Sequence, residues 1–383
     1  MTVPPQGPYG SQPGGGGGPQ WGGPPPQASG GQPPYGPPGG QWSQQPWGAP
    51  PPPNNGGKGK WILVGLALVA VIAVSIVGTV LVLRPDSGGG NGQQNTANSG
   101  SEFASANDTG PANIITEDPT CDAWVKIARD MAAAVPEWNR QNYSVPATEW
   151  TPDQRAVFEK ESSILGTSIK KVANLAKQTP HRVMRELYGQ YSAYAQAVID
   201  AIPSYGSADN YVVAAYNKFA ATLSRVCDSI HFSVAQESAP LVPVPSTPAS
   251  TPQMSESSSR EPERFIASRN VVCDDWISAA ERYEKDTEAW TAIDANIPAT
   301  EWSPEQRAVM DSVIPVMTAY ADNMESLGRQ SGNHIWEDFA VLAAQYRRAY
   351  VEAIPTYTSN SSYISSASAN LSNAIYWACK AAA

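Results

Sequence analysis

Histidines, cysteines and paired carboxylates are the side chains here that could do chemistry, and their spacing gives them little to do. His181, His231 and His334 are not at metal-ligand spacing, and none has an acid or nucleophile partner by sequence. Acidic pairs such as Asp274–Asp275 and Glu337–Asp338 read as exposed helix residues. No Gly-rich phosphate loop follows a strand, because nothing alternates with period 2 for long enough to make one. The reading is therefore a non-enzyme with no cofactor and no metal. Cys121, Cys227, Cys273 and Cys379 include no Cys-x-x-Cys pair, which argues against a redox couple and for structural disulfides.

The cysteines belong to a duplication. Shifting the chain by 152 positions lays Cys121 on Cys273, Trp124 on Trp276, Trp138 on Trp290 and Cys227 on Cys379. PATEWTPDQRAV (Pro146 to Val157) then superposes on PATEWSPEQRAV (Pro298 to Val309), and AIPSY on AIPTY. Inside each copy the apolar period is helical. Cys121, Trp124, Ala128, Met131, Val135 and Trp138 form one stripe of a first helix. Thr151, Pro152 and Gln154, repeated as Ser303, Pro304 and Gln306, open a second helix with a capping box. Pro315 falls within that helix in the second copy, where a kink is expected. A third helix ends before Pro203 and Pro355, and a fourth closes on Cys227 and Cys379. Four helices with short links predict an up-down-up-down bundle, in which the start of the first and the end of the last are neighbours. Of three possible pairings, the duplication favours Cys121–Cys227 and Cys273–Cys379. Closing such a loop adds up to ~4 to 5 kcal/mol on the chain-entropy account.

The motif EW-[TS]-P-[DE]-QR occurs in both copies. Trp150 over Arg155, and Trp302 over Arg307, predict a staple with cation–π character. The bundle topology brings Trp138, Trp150 and Tyr205 to one pole, as it does Trp290, Trp302 and Tyr357. These rings either plug the end of the core or form a duplicated partner-binding surface, with Glu149 and Glu301 as polar contacts. At the other pole of the first copy, Lys170, Lys171, Lys177, Arg182 and Arg185 flank a helix turn. They read as a solvated face or as a contact for anionic lipid, each basic residue contributing up to about 1 kcal/mol. Val313 standing opposite Glu161 in the alignment of the copies is a hint of internal irregularity.

Composition places these copies. Residues 1–60 are rich in Pro, Gly and Gln, carry no charge before Lys58, and read as a disordered tail. The tail is either simply solvated or a polyproline-type ligand for cytoplasmic partners. Residues 61–83 are apolar and uncharged, and 23 residues at about 1.5 Å each cover a ~30 Å hydrocarbon core. Lys58 and Lys60 before the run, and all four cysteines after it, favour a cytoplasmic N-terminus and an exported C-terminal region. Residues 84–115 read as a flexible tether and 233–260 as a Ser/Thr/Pro-rich linker, bare or O-glycosylated. The repeats then occupy 116–232 and 261–383 and behave as beads of variable orientation. From Ala112 to Phe232 there are 12 basic and 13 acidic residues; from Glu261 to Ala383 there are 9 and 17, which argues against nucleic acid.

A Pro/Gly/Gln-rich tail studded with Tyr and Trp, one uncleaved anchor and a Ser/Thr/Pro-rich exported region resemble the single-pass envelope proteins of mycobacteria and related actinobacteria. The resemblance covers roughly residues 1–110 and implies a location. The expected architecture is all-α: a disordered tail, one transmembrane helix, and two tandem disulfide-closed four-helix bundles outside the membrane. The expected function is that of a non-catalytic adaptor or scaffold of the cell envelope, with protein partners on one or both membrane faces. The alternative is an extracytoplasmic receptor or carrier holding a small molecule or lipid within its bundles, which calls for a cavity of several hundred Å³.

Overall fold

The computed structural model describes residues 102–248 and 262–383. These residues form ten α-helices and no strand. The first copy supplies α1 (Cys121–Ala134), α2 (Pro152–Gln178), α3 (Arg182–Ala201) and α4 (Asn210–His231), followed by a short α5 (Val234–Ser238). The second supplies α6 (Cys273–Asp286), a one-turn α7 (Glu288–Thr291), α8 (Pro304–Gln330), α9 (His334–Ala353) and α10 (Ser361–Ala381). The tail and the apolar run 61–83 lie outside the described residues. Among those described, no helix is long and apolar enough to cross a membrane.

Local chemistry accounts for most boundaries. Thr151 Oγ1 accepts from Gln154 N and Gln154 Oε1 from Thr151 N, a complete capping box that Ser303 and Gln306 reproduce. The stripe predicted to carry helix 1 through Trp138 is cut short. α1 stops at Ala134 because Pro136 restricts the residue before it, and Trp138 sits instead in a separate 3₁₀ turn. Trp290, its equivalent, likewise lies beyond α6, in α7. α8 continues through Pro315 as a single 27-residue element. Its fit against α9 is close at Gly328, where a Cβ would stand 2.3 Å from that of Ala340. Gly332, at φ +65°, then makes the turn into α9.

Each bundle closes around aromatic side chains. Trp124 is fully buried, donates to Ser224 Oγ at 3.0 Å and meets Tyr191 edge-on at 5.1 Å. Trp276 donates to Ser372 O at 3.1 Å and meets Trp336 edge-on at 5.8 Å. The disulfides join Cys121 to Cys227 and Cys273 to Cys379, each linking the first helix of a copy to its last.

The copies are not separate beads. The most extensive helix–helix contact among the described residues runs between α4 and α10, the last helix of each copy. Lys218 Nζ and Asn370 Oδ1, equivalent positions in the two copies, meet at 3.4 Å. Tyr211 stacks on Trp377, and the two equivalent positions meet in turn as Arg225 and Tyr363. Such reciprocal pairing is what an approximate twofold axis between the copies produces. Phe219 also packs across the seam, 5.7 Å from Phe339 and 6.0 Å from Phe265.

Segments read as tethers take part in this packing. Ala112, Ile114 and Ile115 are buried, and so are Val234, Ala235 and Val242. Ser233 turns the chain with a left-handed φ of 63°, Gln236 Nε2 donates to Thr116 O, and Gln345 Nε2 donates to Pro243 O at 2.9 Å. Composition misled here: a few apolar residues among Ser and Pro are enough to pin a segment once a groove exists to receive them.

Candidate functional site

The repeated motif builds the same device twice. Trp150 Nε1 donates to Val145 O at 2.9 Å and Trp302 Nε1 to Ile297 O at 2.9 Å. Arg155 stands 5.5 Å over the Trp150 ring and donates to Ala147 O at 2.9 Å; Arg307 stands 5.6 Å over Trp302 and donates to Ala299 O at 2.6 Å. Tyr205 donates to Tyr143 O, and Tyr357 to Ala295 O. Phe158 lies stacked beneath Trp150 at 4.1 Å and edge-on to Trp138 at 5.1 Å.

These rings turn inward. Trp138, Trp150, Tyr205, Trp290, Trp302 and Tyr357 are all buried, and every indole and phenol hydrogen has an acceptor. They close the end of each core, so of the two readings of this pole the geometry favours the plug. Glu149 and Glu301 alone of the set are exposed, on the rim with Arg155 and Arg307. Trp150→Ala or Trp302→Ala is expected to cost about 3 to 5 kcal/mol, as removal of a large buried ring does. Chemical denaturation of the single variants checks this; a cost below about 1 kcal/mol would show that the rings are not part of the core.

The basic cluster is dispersed by the fold. Arg182 is 3% exposed and grips Asp338 of the other bundle through Nε and Nη2 at 2.7 and 2.8 Å. Its remaining Nη1 donates to Asp108 O and Gly110 O. Arg185 donates to Ser105 Oγ and lies over the Phe103 ring, and Lys177 pairs with Glu102. Lys170, Lys171 and Lys177 keep an exposed setting, Lys177 already paired with Glu102. Residues 102–110, expected as part of a tether, bury Arg182, half-cover Arg185 and supply Glu102 as the partner of the exposed Lys177.

Three buried charged arrangements emerge that sequence spacing did not reveal. In the first, Glu186 and Asp338, equivalent positions in the two copies, share the Arg182 guanidinium. Burial and the neighbouring Asp338 carboxylate raise Glu186 well above the usual carboxylate range. The second is Glu161 on α2, 3% exposed inside the first bundle, which desolvation pushes up to about 7. The third is Arg347 on α9, wholly buried in the second bundle. The mismatches of Glu161 with Val313 and of Ala195 with Arg347 between copies were the available signal. Among the described residues no group of three or more His, Cys, Asp and Glu side chains is placed to hold a metal ion.

An uncharacterized protein of Mycolicibacterium smegmatis (strain MKD8) is 38% identical over 331 residues, covering 85% of this chain and 86% of its own. No solved structure matches. A family model described as mycobacterial ESX-1 associated protein matches residues 103–383, both bundles together. The chain therefore belongs to the mycobacterial ESX-1 associated protein family.

Proposed function

We propose that the protein is a non-catalytic accessory of a mycobacterial ESX-1 secretion system. In this reading residues 61–83 anchor it, residues 1–60 face the cytoplasm, and the paired bundles form a rigid exported platform for protein partners. The observation that carries the proposal is that the family match spans both bundles, which are also the parts sealed to each other by α4 and α10. A duplicated unit selected as a fixed pair suits presentation of a surface more than turnover of a substrate. The exposed carboxylates Glu149 and Glu301, held on stiff plugs beside Arg155 and Arg307, are the polar contacts proposed for a partner at that pole.

In-cell crosslinking of the tagged full-length chain, followed by mass spectrometry, tests this. The expected result is recurrent crosslinks from the bundles to secretion-system components, and a separate set of neighbours from residues 1–60. Recovery of the chain in the cytosol, or crosslinks that never include a secretion component, would reject it. The carrier reading has one observation on its side, the buried ionisable groups at the bundle centres, Glu161 and Arg347.

A further inference from the structure

The second bundle contains a cation that its own residues do not neutralise. Arg347 is 0% exposed, and a guanidinium is a cation with five N–H donors and no acceptor. Nη1 donates to Ser365 Oγ at 3.2 Å, while Nε and Nη2 have no acceptor among the described residues. No carboxylate there forms an ion pair with it. Its nearest company is aromatic: the Tyr283 ring centroid lies 5.2 Å from Cζ and that of Tyr350 6.0 Å. Burial raises both phenols above their ordinary range, so neither supplies negative charge. Tyr320 stacks on Tyr283 at 4.2 Å, so all four long helices of the bundle contribute to the surroundings of this charge.

A desolvated cation–π contact offsets only a fraction of what an isolated buried charge costs. Structures meet the difference with a counter-charge and with hydrogen bonds to every open donor. The first copy shows that the fold does not require the group, for alanine (Ala195) stands at the equivalent position.

We propose that the second bundle is an anion-binding module, in which Arg347, with Ser365 beside it and the Tyr283 and Tyr350 rings against it, receives a small monoanionic group. The two open N–H donors, Nε and Nη2, lie on one edge of the guanidinium, the arrangement that engages a carboxylate through both oxygens or a halide between the donors. The same chemistry can come from a free inorganic anion or from the carboxylate of an organic ligand. The inference does not rest on the secretion reading.

Thermal unfolding of the purified full-length chain in detergent separates these cases. Sodium salts of chloride and of acetate are compared, at equal ionic strength, with that of MOPS, a sulfonate too bulky for a closed bundle. The expected result is a melting temperature that climbs with the logarithm of chloride or acetate concentration, as ligation of the native state requires. In Arg347→Met that dependence vanishes, and in Glu161→Gln, altered only in the first bundle, it persists. A response to chloride alone assigns a free inorganic anion; a response to acetate alone assigns an organic carboxylate. Equal responses in the wild type and Arg347→Met, no response in either, or an Arg347→Met protein more stable than the wild type at saturating anion, would overturn the proposal.

Discussion

Arg182→Met is expected to uncouple the two bundles and to cost about 3 to 5 kcal/mol, the penalty for removing one partner of a buried ion pair. The Arg182 side chain satisfies four acceptors at the seam, both Asp338 oxygens and the Asp108 and Gly110 carbonyls, and the Glu186 carboxyl lies 3.9 Å away. Without it, the carboxyl groups of Asp338 and Glu186 are left buried side by side with no cation between them. Opening of the α3–α9 side of the seam to water relieves that. The variant should therefore show faster amide exchange in residues 102–110 and near Asp338 while both disulfide-closed bundles stay helical. In the double variant Arg182→Met, Asp338→Leu, no charge is stranded, and most of the lost stability should return. If Arg182→Met melts within about 1 kcal/mol of the wild type, the clamp does not hold the bundles together.

The second large effect is a dependence on pH. Glu161 has a folded-state pKa of about 7 because of desolvation, against 4.5 for its unperturbed value. Tyr143, Tyr191 and Tyr216 also lie in its field, and burial pushes each of these phenols upward, so they remain neutral across the range in question. A carboxyl with a raised folded pKa binds a proton in the native state that the unfolded chain has already lost. The native state is then favoured least when the group is ionised in both states. Its penalty is absent below about pH 4.5, grows as pH rises toward 7, and levels off above 7 at roughly 3 kcal/mol. Glu161→Gln removes the titration. At pH 8 it should melt higher than the wild type by roughly 6 to 12 °C, and at pH 4.5 the two should melt together. A wild-type minus variant difference that does not change between those pH values would show that Glu161 does not titrate in the core.

Much of the fold was legible in the sequence because it rests on local rules. The capping boxes at Thr151 and Ser303, the prolines at 203 and 355, and the cysteines at the first and last turns of each copy are short-range signals. The 152-residue shift read those signals twice. The aromatic pole was half legible: Trp150, Arg155 and Tyr205 could be brought to one end of a bundle from topology. Whether their faces pointed inward depended on Phe158, one turn further along α2, which occupies the space beneath them.

The sequence by itself determined the helices, the duplication, the cysteine partners and the place where aromatic side chains gather, since each follows from spacing within one copy. Tertiary structure alone decided that the copies are sealed along α4 and α10, that Arg182 is a clamp and not a surface charge, and that Glu161 and Arg347 stand in bundle interiors. The reason is electrostatic. A charged residue on a helix reads as solvated unless the element covering it is known: for Arg182 the cover comes from the other copy and from residues 102–110, and for Glu161 and Arg347 from the packing of their own bundle.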